Sequence, residues 1–326
     1  MNSRRHFLKS VVASTAGLGA AATSSTSSAQ ANDAKAEPAA GKVDRRRLGR
    51  LEAEVSILGL GLGSAFIRPY DQDREAGHAL LQSALDLGIN YWDTARGYKT
   101  SEEIIGPVVK ANRDRIFLVS KSAARDYDGF MREVETSLTN LQTDRLDLLH
   151  LHNLKPDKDD LAQMEKGCVR AVRELIDQKV VPHFGVTGHS GARFLMDAIE
   201  RFDPDALLSV YPCTRDDEGR YEDELLPLAR ERDMGVIAMK TVRRARNADL
   251  VGTDLVRYAL SLDGIATTIV GLDTLDHLNA NSQMATNFEP LDLAQRDAMH
   301  REVTTAVASI PTPWEQPGYE DGAGLA

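Results

Sequence analysis

Eight short apolar runs, recurring about every 30 residues and each followed by a helical pattern, constrain this chain more than any other feature of it. They cover residues 57–60, 89–92, 116–119, 146–151, 184–186, 206–208, 236–239 and 268–270. The runs are nearly continuous in apolar residues. That is the pattern of a strand covered on both faces, where a half-exposed strand would alternate. A strand–helix repeat of this length builds a parallel sheet. Between the runs, apolar residues return at helical spacing. Over 73–87, Ala76, Leu80, Leu81, Ala84 and Leu87 share one face, and Gly88 ends the helix. Further helices are expected over 130–141, 159–178, 193–202, 222–232, 253–262, 276–284 and 291–307. Eight even units within residues 48–310 favour closure into an α/β fold of the (β/α)8 TIM-barrel type, which takes ~250 residues, over an open doubly wound sheet.

Chemistry in such barrels sits at the C-terminal ends of the strands. Three consecutive strand ends carry a chemically coherent set. The second strand ends in Asp93, with Tyr98 five residues on; the third ends in Lys121; the fourth ends in His152. Residues two apart share a strand face, so Tyr91 points with Asp93, and Phe117 and Val119 point with Lys121. A free phenol has a pKa of ~10 and is a poor acid at neutral pH. A nearby ammonium is expected to lower that value. Asp93 would keep Lys121 charged and oriented, and His152 would bond a carbonyl oxygen or shape its pocket. Tyr98 would then protonate the alkoxide that forms as hydride arrives. No side chain donates hydride, so this chemistry needs a cofactor. The expected partner is a small-molecule carbonyl or alcohol.

The motifs resemble those of the aldo-keto reductase superfamily. Arg47-Leu48-Gly49-Arg50, Val55-Ser56 and Gly59-Leu60-Gly61 resemble its opening hairpin and first strand. Asp93-Thr94-Ala95-Arg96-Gly97-Tyr98, followed by Ser101-Glu102, resembles its most specific motif. Lys121 matches its lysine, Asp147-Leu148-Leu149-His150-Leu151-His152 its histidine strand, and 175–188 its following helix and fifth strand. The resemblance implies a barrel that holds NADP(H), or alternatively NAD(H), in an extended pose without a Rossmann domain. It implies the Asp93, Tyr98, Lys121 and His152 roles set out above, and a monomer. It places cofactor contacts at Thr187, Gly188, Met239, Lys240, Arg243, Gly271, His277 and Asn281.

Several of these depart from the family pattern. Thr187-Gly188 replaces its Ser-Asn, Leu208 its Gln, Met239 its stacking aromatic and His277 its phosphate-gripping Arg, while Asn281 is retained. The preference between NADP and NAD stays open. Lys240, Arg243, Arg244 and Arg246 follow the seventh strand where the family seats the pyrophosphate; they supply replacement contacts or form a solvated basic loop.

Two other classes remain open on residues alone. His150, His152, His183, His189 and Asp93 include the ligand types of a catalytic zinc site, the mark of a metal-dependent hydrolase. The altered cofactor positions would also suit a non-catalytic nucleotide-binding barrel.

The N-terminus is a separate device. Ser3-Arg4-Arg5-His6-Phe7-Leu8-Lys9 resembles a twin-arginine export signal. The weakly apolar run that follows, 11–22, falls short of the ~20 residues that span a bilayer. Ala29-Gln30-Ala31 fits a cleavage site. Residues 1–31 are therefore expected to be a signal peptide cleaved after Ala31, 32–44 a linker, 45–310 the barrel and 311–326 a tail that covers the barrel mouth or hangs free. The expected partner is the twin-arginine export machinery, the expected location periplasmic or otherwise exported, and no stable membrane insertion is expected. A net charge of −10 argues against a nucleic-acid partner. Cys168 lies on an apolar helical stripe as core filling, and no spacing rule pairs it with Cys213. No cysteine cluster suits an iron–sulfur centre.

Overall fold

The computed structural model describes residues 41–189, 191–242, 250–316, 319 and 321. The signal-peptide reading of 1–31 and the cofactor candidate Arg243 lie outside them. Eight parallel strands close into a barrel in chain order: β3 (Leu58–Gly61), β4 (Tyr91–Asp93), β5 (Phe117–Ser122), β6 (Leu148–Leu151), β7 (Phe184–Gly188), β8 (Ala206–Val210), β9 (Gly235–Met239) and β10 (Ile265–Val270). The ring is completed by β10 on β3, with Thr268 opposite Leu58 and Val270 opposite Leu60. Every residue of β4, β6, β7, β8 and β9 is buried. That two-sided burial is why the runs in the sequence do not alternate.

A hairpin of β1 (Arg45–Arg47) and β2 (Glu54–Ser56) precedes the barrel. It lies at the N-terminal end of the barrel, where Arg46 donates to the Ile265 carbonyl at 2.8 Å. Packing begins before the hairpin: Val43 is buried, and its N–H bonds the Leu87 carbonyl at 3.0 Å. The barrel interior holds His150, whose ring lies against Gly185. A Cβ at Gly185 would stand 2.4 Å from His150 Nδ1, so only glycine leaves room there.

The helices are α1 (Ser64–Tyr70), α2 (Arg74–Asp86), α3 (Ser101–Asn112), α4 (Tyr127–Asn140), α5 (Leu161–Met164), α6 (Arg170–Asp177), α7 (Ala192–Phe202), α8 (Leu226–Glu231), α9 (Gly252–Leu260), α10 (Leu275–Thr286) and α11 (Leu293–Ala306). Local capping sets several starts: Asp73, Asp126 and Thr274 accept from the N–H three residues on, and Asp292 and Gln295 form a reciprocal capping box. The pattern does not predict α1 or α3, because Pro69 and Pro107 stand inside them, and an interior proline reads as a breaker. The helix expected over 159–178 is interrupted by a π turn, Glu165–Val169, that joins α5 to α6. Both cysteines are free and buried. Among the described residues no helix is long and apolar enough to cross a membrane.

Candidate active site

The loop after β4 is fixed by its own backbone before any side chain acts. Thr94 N–H bonds the Val119 carbonyl and Arg96 N–H the Lys121 carbonyl, each at 3.0 Å, so the loop is stitched to β5. Tyr98 N–H then bonds Ala95 at 3.0 Å, a turn that brings the phenol back over the barrel. Glu102, at the start of α3, is buried; it pairs with Arg96 at 2.5 Å and accepts from Ser120 Oγ at 2.8 Å. Ser101 Oγ bonds the Leu62 carbonyl at 2.6 Å. These contacts pin α3, and with it the loop that carries Tyr98.

Asp93, Tyr98, Lys121 and His152 come together and are all buried. Lys121 Nζ donates to Asp93 Oδ1 at 2.5 Å and to the Thr94 carbonyl at 2.7 Å. Burial pushes the Asp93 carboxyl up and the ammonium pulls it back, leaving it at about 6. Lys121 Nζ lies 4.7 Å from the centre of the Tyr98 ring, against its face. The rings of Tyr98 and His152 meet edge to face at 5.5 Å. Arg125 donates to the His152 carbonyl at 2.8 Å and is held by Asp159, supporting the end of β6.

Of the described tail residues, Trp314 is buried and Asp321 is inserted among these groups. Tyr98 Oη donates to Asp321 Oδ2 at 2.7 Å, and His152 Nε2 stands 3.0 Å from the same oxygen. A carboxylate only accepts, so His152 carries its proton on Nε2. Lys240 Nζ donates to Asp321 Oδ1 at 2.6 Å, and His189 Nε2 lies 3.4 Å away without forming a hydrogen bond. Burial alone would push the Asp321 carboxyl up, but Lys240, His189 and His152 outweigh it and hold the group well below the usual carboxylate range. Tyr98 departs from expectation. Burial, then the charges of Asp321 and Asp93, push its phenol well above the ordinary value, the reverse of activation by Lys121. The physical reason is that the ammonium faces the ring while a carboxylate faces the hydroxyl.

The cofactor candidates divide into two groups. Thr187 and Gly188 end β7, Met239 ends β9 buried, and Lys240 follows it, joined to the tetrad through Asp321. Gly271 follows β10 so close to α1 that an added Cβ would lie 2.7 Å from the Ala65 Cβ. His277 and Asn281 lie on α10: His277 Nδ1 is 2.6 Å from Asp273 Oδ1, and Asn281 Nδ2 donates to the His277 carbonyl at 2.8 Å.

The metal-ligand candidates do not assemble. His150 is a pleat below His152, and His183 precedes β7 at the opposite end of the barrel, 3.5 Å from Asp205. Among the described residues no three His, Cys, Asp or Glu side chains are grouped to hold a metal.

Sequence reasoning missed Asp321, and it weighed His189 only as a metal ligand. The sequence leaves the tail as a cover or a free end, and nothing local marks Asp321.

Residues 57–247 match the model of the Aldo/keto reductase family. The uncharacterized oxidoreductase YqkF of Bacillus subtilis is 27% identical over 292 residues, 74% of this chain and 90% of its own. The L-galactose dehydrogenase of Arabidopsis thaliana is 25% identical over 299 residues, 78% of this chain and 92% of its own. An aldo-keto reductase from Klebsiella pneumoniae, solved in complex with NADPH, superposes with a TM-score of 0.66 at 23% identity. That superposition covers 81% of this chain and 95% of the other, and shows the shared fold. With the family model spanning more than half of its length, and eight strands closed around an Asp-Tyr-Lys-His cluster, this chain belongs to the Aldo/keto reductase family.

Proposed function

We propose that Tyr98 is the proton donor in the NAD(P)H-dependent reduction of a small-molecule carbonyl to an alcohol, the reaction type that family membership gives this chain. One observation carries the assignment: Tyr98 Oη and His152 Nε2 converge on a single oxygen, that of Asp321, at 2.7 and 3.0 Å in a buried pocket. A carbonyl oxygen in that place receives two hydrogen bonds, and as it becomes an alkoxide it takes the Tyr98 proton. Replacing Asp321 with a neutral carbonyl removes the nearer of the two carboxylate charges that, after burial, push the phenol up. Lys121 then stabilises the phenolate that proton transfer leaves on Tyr98, through the ring face, and Asp93 keeps Lys121 in place.

The cofactor we assign is NADP(H), with NAD(H) the alternative; when bound it supplies the hydride. The residues present fit such a group. Thr241 Oγ, Asn281 Oδ1 and Ser282 Oγ are buried and, among the described residues, make no hydrogen bond, as groups awaiting phosphate or hydroxyl partners would be. Thr187, Gly188, Met239, Gly271, His277 and Asn281 would hold it, with Arg243 from the adjoining loop, while Lys240 is turned to Asp321. Purified wild-type protein should oxidise NADPH or NADH with members of a carbonyl panel, and Tyr98→Phe should lower kcat about 10²- to 10⁴-fold. Equal rates for the two proteins across the panel would refute the assignment.

The Arg4-Arg5 signal supports export through the twin-arginine pathway with cleavage after Ala31, delivering a soluble monomer that carries its nucleotide out in place. Arg4→Lys with Arg5→Lys should retain the precursor in the cytoplasm. Exported protein free of nucleotide and active without it would sink the carried-cofactor idea.

A further inference from the structure

Asp321 belongs to the C-terminal tail, yet its carboxylate is 4% exposed and sits where the proposed reaction needs its carbonyl. Its two oxygens meet different walls. Oδ2 faces Tyr98 and His152. Oδ1 faces the Lys240 ammonium at 2.6 Å and the Tyr319 hydroxyl at 3.2 Å, with His189 Nε2 at 3.4 Å. The first wall suits a carbonyl or a carboxylate oxygen, since both accept. The second is built around a cation and suits an anion. A neutral aldehyde would engage only the first.

Distance narrows the class further. Both walls close on one carboxylate, whose oxygens share a carbon. A ligand that spans them must therefore hold its acid group beside its carbonyl, and a semialdehyde with the acid at the far end of a chain would not reach. Tyr319 reinforces the tail's place: its ring stacks edge to face on His189 at 5.7 Å and lies 5.7 Å from Lys240 Nζ, while Lys155 Nζ bonds its carbonyl at 3.4 Å.

We propose that this site reduces short 2-oxo acids, with the oxo oxygen on Tyr98 and His152 and the carboxylate on Lys240, and that Asp321 is a tethered carboxylate occupying the same place until substrate displaces it. The inference rests on the reading of Tyr98 as proton donor. In the reaction the carbonyl carbon accepts hydride from NAD(P)H and its oxygen accepts the Tyr98 proton. A 2-hydroxy acid and NAD(P)+ result, and Tyr98 regains a proton from solvent. Lys240 is a specificity residue: it contacts the acid group and takes no part in proton transfer.

The test uses the full mature chain and two readouts. First, kcat/KM is measured for glyoxylate, pyruvate and 2-oxobutyrate and for the methyl ester of each. The acids should lead their esters by tenfold or more, and Lys240→Met should erase the lead while Lys240→Arg keeps part of it. Second, calorimetric binding of oxamate, which cannot be reduced, is measured without cofactor. Asp321→Ala should tighten it at least threefold, and Lys240→Met should weaken it. Esters that match or exceed their acids, or oxamate binding indifferent to Asp321→Ala, would overturn the proposal even if the enzyme reduces other carbonyls. Oxamate binding that responds as expected in a protein that reduces no carbonyl at all would keep the carboxylate pocket and defeat the proton-donor reading instead.

Discussion

Asp93 and Lys121 illustrate what a buried ion pair does at the scale of single residues. Each is 1% exposed, and each is held by the other. Removing one partner leaves a charge in a medium that solvates it poorly, which costs about 3–5 kcal/mol. Lys121→Met should therefore lower the free energy of unfolding, measured by denaturant titration, by that amount and also abolish turnover. Adding Asp93→Asn removes the stranded carboxylate, so the double variant should recover most of the stability and none of the activity. Recovery of turnover in the double variant would show that Lys121 is structural only. Tyr98→Phe, by contrast, removes one hydroxyl from a pocket edge, and its loss should fall on kcat with little on stability.

The π turn between α5 and α6 is an element-scale device whose effect reaches the site. It presents Gly167 to the loop after β5, where an added Cβ would lie 2.1 Å from the Arg125 carbonyl. Cys168 N–H bonds that same carbonyl at 2.9 Å. Arg125 in turn bonds the His152 carbonyl at the end of β6. Gly167→Ala should cost about 1–3 kcal/mol by overpacking, measured by urea unfolding. Gly97→Ala is the control. It is exposed, with nothing within 4 Å of the added carbon, and should stay within about 0.5 kcal/mol of wild type. Equal losses at the two positions would remove the claim that the π turn is packed against the loop.

For the whole molecule, buried histidines set the response to acid. Burial lowers His150 well below its ordinary value, lowers His152, and takes His189 to about 4. Unfolded, each would titrate near 6.5. Between about 6.5 and 4 the unfolded chain binds more protons at these sites than the folded one, so stability falls as pH falls through that window. His189 alone contributes about 3 kcal/mol to that loss. Asp93 works the other way: its carboxyl is raised to about 6, so its contribution is fullest below its unfolded value and is lost as pH rises through 6. The three histidines, joined by Asp321, whose depressed carboxyl must also be protonated in acid, stand against the raised carboxyls of Asp93 and Glu222 and leave a net loss in acid. Urea unfolding above pH 6.5 and again near pH 4 should show it, and His189→Asn should flatten the slope. Stability unchanged or higher near pH 4 would contradict this account.

The sequence by itself determined the barrel, because two-sided burial writes itself as apolar runs and each run is read within a few residues of chain. It also placed Asp93, Lys121 and His152 at three strand ends, since strand period and strand end are local properties. Where local rules conflict with packing, the reading failed. Pro69 and Pro107 concealed α1 and α3, and the register change at Gly167 depends on Arg125, more than forty residues away. The state of the site was decided only in three dimensions. The charge beside the Tyr98 hydroxyl comes from Asp321, 223 positions further along the chain, and the same carboxylate reaches His152 across 169 positions. Electrostatic energy depends on distance through space. The direction in which the tyrosine is shifted, and the anion-holding wall that Lys240 forms, therefore belong to the tertiary structure alone.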